Sequence, residues 1–391
     1  MRALHPTILG LGLVSFLTDF SSEMIYPLLP LFLSQTLGAG PAALGIIEGI
    51  AEATAAFFKF ISGRWSDEAG RKKPFVVAGY SLSSLSRPLI GLAQAWPHVL
   101  VLRFLDRIGK GIRTSPRDAL IADLTNDHNR GRAYGFHRAM DHAGAVIGPL
   151  AAAVLLGVGF SLRETFLFAA VPAALCMVVL VYWVREPARV NPDGRAEAVA
   201  LKATSWKALP ADFKRYLFVV LLFTLGNATD AFFLLKLGEA GVPQAWVAGL
   251  WAVHSAVKMS STYLGGVWSD RFKPKNVLCA GWLFYACIYV AFAYVTDENI
   301  LVGLFLLYGI YFGLTEPAER SLVVIQSKRA TKGVAFGFFH LFIAAGALPA
   351  SLVFGLIWQS FGSHYAFLMG ASLAFAATLA LAFLVRDPEA R

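Results

Sequence analysis

Asp19 and Glu23 stand four residues apart inside an otherwise apolar run from Leu11 to Leu33. On a helix they share one face. Two carboxylates short of water and repelling each other are what a proton carrier needs; the competing arrangement is that an arginine from a later segment neutralises one of them. Arg138, Asp141 and His142, with His137 beside them, form the densest titratable cluster in the chain. An aspartate that exchanged Arg138 for a proton would tie proton movement to a change of shape, whereas a fully satisfied cluster would be static structure. A third run holds Arg103, Asp106, Arg107, Lys110 and Arg113, and later segments add the lone acid Asp230 and the group Glu316, Glu319 and Arg320. Asp106 with Lys110 and Glu316 with Arg320 have the spacing of pairs one helical turn apart. Glu48 and Glu52 sit toward one end of their segment and read as a gate or vestibule. His254 and Lys258, also four apart, are placed to meet Glu316 or Glu319. The chemistry these residues support is exchange of protons and ions. There is no HExxH, GxSxG or GxxxxGK[ST] run, so neither a hydrolytic centre nor an ATPase cassette is encoded. Cys176, Cys279 and Cys287 have no metal-ligand spacing, and no metal or other cofactor is expected.

The segments that carry these charges are oily. The chain has 391 residues, 57% hydrophobic and 15% charged, with a mean hydropathy of +0.60. That is too apolar for a soluble enzyme, and the basic excess, 34 Lys and Arg against 25 Asp and Glu, is not that of a nucleic-acid binder. Apolar stretches of roughly 20 residues, long enough to cross a ~30 Å hydrocarbon core, recur twelve times: 8–33, 42–62, 74–94, 98–123, 133–157, 165–185, 215–236, 244–267, 276–296, 300–325, 333–357 and 364–385. An ionisable side chain at the centre of such a helix costs about 2.5–3.5 kcal/mol, so each charge inside a span is a functional candidate. The first span is too long for a cleavable signal and is expected to be retained. Lys and Arg crowd one set of loops, which places both termini and the long middle segment on the cytoplasmic side. A few aromatics, Tyr26, Phe232, Trp251 and Tyr311, are candidates for stacking on a substrate.

The chain also repeats itself. GRAYGFHRAMDHAG from Gly131 aligns with GVAFGFFHLFIAAG from Gly333, and Gly111 with Gly313, at an offset of 202; GRWSD from Gly63 aligns with GVWSD from Gly266 at 203. Thr18-Asp19 is matched to Thr229-Asp230. The expected organisation is a bundle over 1–186, a cytoplasmic linker over 187–214 with a short amphipathic helix, and a second bundle over 215–391. Two six-helix halves related by an axis along the membrane normal are the architecture of alternating-access transporters.

Gly63-Arg64-Trp65-Ser66-Asp67 followed by Gly70-Arg71-Lys72-Lys73 resembles the loop signature of the major facilitator superfamily, with Asp270 in a degenerate second copy. The resemblance implies an all-α membrane protein of twelve transmembrane helices in two pseudo-symmetric halves. It also implies a conformational latch of Gly63, Asp67, Gly70, Arg71, Lys72 and Asp123, in which Asp67 pairs with Arg71. Gly144-Ala145-Val146-Ile147-Gly148-Pro149 is similar to the GxxxGP core of the motif associated with antiporters; Gly144, Gly148 and Pro149 serve there as a hinge, or simply as a close helix contact. Arg103 or Arg107 corresponds to the family's buried arginine of the fourth span, and the spacing does not choose between them. The function implied is secondary transport by alternating access in the drug/proton-antiporter-like branch: proton-coupled export of a small molecule or ion. The alternatives are a proton-coupled or facilitated importer of a small metabolite or metal chelate and, remotely, an intramembrane enzyme or sensor. The partners implied are the substrate, protons and membrane lipids, with no nucleic acid and a monomeric chain.

Overall fold

The computed structural model describes residues 5–125, 130–186, 206, 209–326 and 332–385, and those residues hold helices and no strand. The helices are α1 Pro6–Ile25, α2 Pro41–Ala69, α3 Lys73–Leu89, α4 Trp96–Asp123, α5 Arg130–Gly157, α6 Leu162–Phe168, α7 Ala170–Tyr182, α8 Ala211–Gly226, α9 Ala231–Glu239, α10 Gln244–Arg271, α11 Pro274–Tyr294, α12 Glu298–Gln326, α13 Lys332–Phe361 and α14 Ser363–Leu384. Among the described residues nine stretches are long and apolar enough to cross a membrane, α6–α7 and α8–α9 each forming one of them. The three other expected spans fold as α3, α4 and α10. In α3 and α4 charged side chains buried in the protein, Arg87 on the one and Arg103, Asp106, Arg107, Arg113 and Arg117 on the other, lower the hydropathy. The expected linker helix falls largely on residues outside those described.

Packing reproduces the sequence repeat. A Cβ on Gly111 of α4 would lie 2.5 Å from Cβ of Phe58 on α2, and one on Gly313 of α12 would lie 2.8 Å from Cβ of Ser261 on α10. Both residue pairs are related by the two offsets, so the same crossing is built twice. Between the two parts of the chain, α2 lies against α13 and α5 against α10.

Two breaks stand close to each other. After α1 the chain continues through a 3-10 turn at Tyr26–Leu28 and a π turn at Phe32–Thr36, because Pro27 and Pro30 supply no backbone N–H. Between α8 and α9 the helix opens at Asn227, where φ is −102° and ψ is 83°. Backbone freed inside a membrane must be satisfied by the protein. Here Tyr285 donates to the carbonyl of Gly226 at 3.1 Å, and the amide of Thr229 donates to Ser351 at 3.3 Å. Tyr26 and Thr229, at equivalent places in the repeat, hydrogen-bond to each other at 3.2 Å. The sequence match of Asp19 to Asp230 is therefore corrected. Gly144 meets α1 at Phe16 and Phe20 while its repeat partner Gly346 meets α8 at Leu221 and Thr224, which leaves Asp230 beyond the helix break, opposite Tyr26.

Candidate functional site

The backbones of α3 and α4 touch at small residues: a Cβ on Gly79 would be 2.5 Å from the Gly109 carbonyl, and Ser83 donates to the Asp106 carbonyl at 3.0 Å. That closeness brings Arg87 within 2.7 Å of Asp106. Arg103, on the same helix as Asp106 and 3.6 Å from it, also reaches Glu48 of α2 at 2.6 Å. All four side chains are at most 4% exposed. Arg87 further donates to the carbonyl of Thr18 at 3.0 Å, tying the network to α1. Two expectations are corrected here. Asp106 is taken up by Arg87 and Arg103 and not by Lys110, because its side chain turns into the α3–α4 contact while Lys110 is exposed. Glu48 is no vestibule residue but the buried partner of Arg103. The sequence signal for Arg87 was available: a lone base in an apolar segment just ahead of Pro88.

Further along α4, Arg107 is 3.9 Å from Glu52, and Arg113 lies over the ring of Tyr80 at 4.3 Å. Arg117 pairs with Asp118 at 2.8 Å.

On the other side of α1, Gly148 of α5 is so close that a Cβ there would sit 2.6 Å from the Phe20 carbonyl and 3.1 Å from Cβ of Glu23; Gly144 meets Asp19 at 3.0 Å in the same way. Pro149 lies inside an uninterrupted α5. The interlocked glycines set Asp19 and Glu23 where α1 faces α5. Among the described residues neither acid has an ion-pair partner. Glu23 instead accepts the indole N–H of Trp251 from α10 at 2.8 Å. Asp141 accepts the hydroxyl of Ser15 on α1 and lies 3.5 Å from both His137 and Arg138, the latter 69% exposed. His142 is exposed and outside this contact.

The second part of the chain solves the same positions differently. All seven buried Asp, Glu, Lys or Arg side chains found among the described residues lie between Glu48 and Arg117. Where the first part pairs Glu48 with Arg103, the repeat equivalents Trp251 and Phe305 are stacked rings 6.2 Å apart. The stack continues through His254 to Tyr308, whose hydroxyl donates to Asp230 at 2.8 Å. His254 binds the Phe305 carbonyl at 3.0 Å, so it does not serve Glu316 or Glu319. Lys258 lies 3.9 Å from Glu316, which is 4.0 Å from Arg320. Glu319 is one turn on, its carbonyl accepting from Tyr216 at 3.2 Å. Phe232, Trp251 and Tyr311 are each less than a tenth exposed and belong to the aromatic core.

At the basic end of the bundle, Gly70 ends α2 with φ of 61°, and Lys72 pairs with Asp123 at the end of α4. The carboxylate of Glu186 accepts the amides of Lys72 at 2.6 Å and Lys73 at 3.2 Å, capping α3 from the far end of α7. Sequence reasoning missed this cap, which no local spacing announces. Arg71 is exposed. Gly63, Asp67 and Asp270 lie on α2 and α10, but their surroundings fall outside what is described.

A helical bundle with paired charges sealed inside it, two breaks facing each other and a repeated helix crossing is a membrane transporter in design. The family profile described as Major Facilitator Superfamily matches residues 11–257 and 237–391. The chain belongs to that superfamily: it is a multi-pass membrane transporter and not an enzyme. It is similar to an MFS-type transporter of Methanocaldococcus jannaschii, itself uncharacterized, with 32% identity over 98% of this chain and 96% of that one. It is also similar to the multidrug resistance protein MdtG of Escherichia coli, 26% identical over 92% of this chain and 89% of that protein. Among solved structures, the nucleoside transporter NupG superposes with a TM-score of 0.82 at 13% identity, covering 97% and 100% of the two chains. An inward-facing bacterial homolog of the human lysosomal transporter Spinster gives 0.74 at 17%, covering 97% and 95%. These likenesses show the fold.

Proposed function

We propose that the chain is a proton-coupled exporter of a small organic molecule, working by alternating access between bundles 1–186 and 215–391 joined by 187–214, with both termini on the cytoplasmic side of a prokaryotic inner membrane. The observation that carries this reading is the pair Asp19 and Glu23: one carboxylate with no ion-pair partner among the described residues, and the other bonded across the two bundles to Trp251. At the end of the bundle opposite Lys72, further contacts join the same halves. Gln244 donates to Gln35 at 2.6 Å, and the amide of Ala42 donates to Gln359 at 3.2 Å. With its outer ends drawn together, the protein presents Asp19 and Glu23 to the inside. Cargo arriving from the inside displaces a proton from these acids to the inside and frees Trp251, the outer contacts part, and a proton from outside replaces the cargo before the return step, ready to be displaced inward by the next cargo molecule. Proton and cargo thus use one set of carboxylates in turn. Asp141, held by Ser15 on α1, couples α5 to the same movement. The relation to MdtG, a multidrug resistance protein, supports export as the direction.

Everted vesicles with an acidified lumen test this. Compounds chosen by comparing growth inhibition of a deletion strain and an overexpressing strain are added, and lumenal pH is followed by a quenched dye. Proton release on addition of a compound, lost in Asp19→Asn and retained in Glu316→Gln, is the expected result. Release that survives in Asp19→Asn would remove Asp19 from the coupling path, and proton movement in the same direction as the compound would make the protein an importer by symport.

A further inference from the structure

Away from the buried acids, the ends of α1, α4 and α7 enclose a groove of about 710 Å³. Its wall is apolar, with Val178 and Leu124 in it. Its rim is aromatic and basic: Tyr182, Trp183 and Arg185, with His5 facing them. Val178 is 53% exposed, Tyr182 78% and Trp183 48%, so the wall is continuous with the face that α7 turns to the bilayer. We propose that this groove seats the headgroup of an anionic phospholipid.

The charge balance chooses that occupant. The one acid on the rim, Glu186, is already engaged by the two backbone amides that open α3. Arg185 is exposed and has no acid partner among the described residues, and Arg71, Lys72 and Lys73 crowd the same end of the bundle. A guanidinium presents its paired N–H groups to a phosphate at two points. Trp and Tyr settle at headgroup depth, and basic pockets between helices on the cytoplasmic side, where the proposed topology puts this end, take acidic lipids. The seat is also built: the hydroxyl of Thr7 donates to the Arg185 carbonyl at 3.3 Å, fixing the start of α1 against the end of α7. A lipid here stands next to Lys72 and Asp123, so its occupancy bears on how firmly that pair holds.

The test uses the full chain in nanodiscs of phosphatidylcholine doped with either phosphatidylglycerol or phosphatidylcholine brominated near the top of the acyl chain. Quenching of the fluorescence that disappears in Trp183→Phe is read. Brominated phosphatidylglycerol is expected to quench it more than brominated phosphatidylcholine at equal content. Arg185→Gln should lower that preference about fivefold, the contribution of one basic residue near an anionic surface, and Arg185→Lys should keep most of it. Equal quenching by the two lipids overturns the proposal, as does a preference unchanged in Arg185→Gln. Displacement of the lipid by millimolar glycerol phosphate would assign the site to a soluble phosphate and overturn it as well.

Discussion

Arg103 is the keystone of the buried network, and replacing it with methionine has a calculable effect. The side chain bridges Glu48 at 2.6 Å and Asp106 at 3.6 Å, and both carboxylates are 1% exposed. Methionine preserves much of the stem volume but strands Glu48 entirely, because nothing else among the described ion pairs reaches it; Asp106 keeps Arg87. Removing one partner of a buried pair costs about 3–5 kcal/mol, most of it the penalty of the charge left behind. With an unfolding entropy of about 2.1 cal/mol/K per residue over 391 residues, this lowers Tm by about 4–6 °C. The assay is a thermal melt in detergent in a background with Cys279 and Cys287 replaced by alanine, read by a maleimide dye that reports the buried Cys176 as it becomes accessible. The decisive variant is the double one, Glu48→Gln with Arg103→Met. If the cost comes from the stranded carboxylate, the double variant melts above Arg103→Met alone. A double variant that melts at the sum of the two single shifts, or an Arg103→Met shift below about 1 °C, would refute the reasoning.

Trp251→Phe keeps the ring stack and deletes only the N–H given to Glu23; a hydrogen bond to a charged group is worth about 1.5–3 kcal/mol, which moves the open-to-closed ratio of the outer ends roughly 10- to 100-fold. A cysteine introduced as Ala228→Cys, at a site 4% exposed, in a background without the three native cysteines, should then react faster with an impermeant maleimide added from outside; an unchanged rate contradicts the bridging role. Gly148→Leu forces α5 off α1, where a Cβ would already be 2.6 Å from the Phe20 carbonyl, and should destabilise by about 1–3 kcal/mol or more, visible as lost monodisperse protein on gel filtration. Tyr308→Phe removes the 2.8 Å donor to Asp230 and is expected to destabilise by about 1.5–3 kcal/mol in the same melt used for Arg103.

How much of this was legible in the sequence depended on whether a residue's partner was near or far along the chain. Apolar length and the two repeat offsets revealed the helical architecture, because those signals are local or self-referential. Charges inside the spans were legible as candidates because their cost in lipid makes them conspicuous. Their pairing was not. Turn spacing suggested Asp106 with Lys110, but the contact of Gly79 with Gly109 swings Asp106 toward Arg87, a residue on another helix. Glu48, Glu186 and Trp251 were missed or misplaced for the same reason: each meets a group at least 55 positions away. The break at Asn227 could have been found, since Gly226-Asn227 interrupts an apolar segment in the manner of a discontinuous membrane helix.

The asymmetry between the two parts of the chain bears on where coupling resides. Repeated helices began with equivalent positions, yet Glu48 and Arg103 face each other in one part while Trp251 and Phe305 stack in the other. A buried ion pair responds to protonation or to a competing charge, whereas the Trp251–Phe305 contact that replaces it carries no charge of its own. On the proposed mechanism the first part, which buries its ion pairs, is the one that protons and a charged cargo would bias, since the ion pairs of the second part, Lys258 with Glu316 and Glu316 with Arg320, are a third or more exposed. The two are joined at Tyr26 with Thr229, at Glu23 with Trp251 and at Gln35 with Gln244, and α2 packs on α13 and α5 on α10, so a charge change in the first part reaches the second through hydrogen bonds and helix packing together. On this argument, replacing acids of the first part should change coupling, and replacing rings of the second should change stability without moving the proton count per cargo molecule.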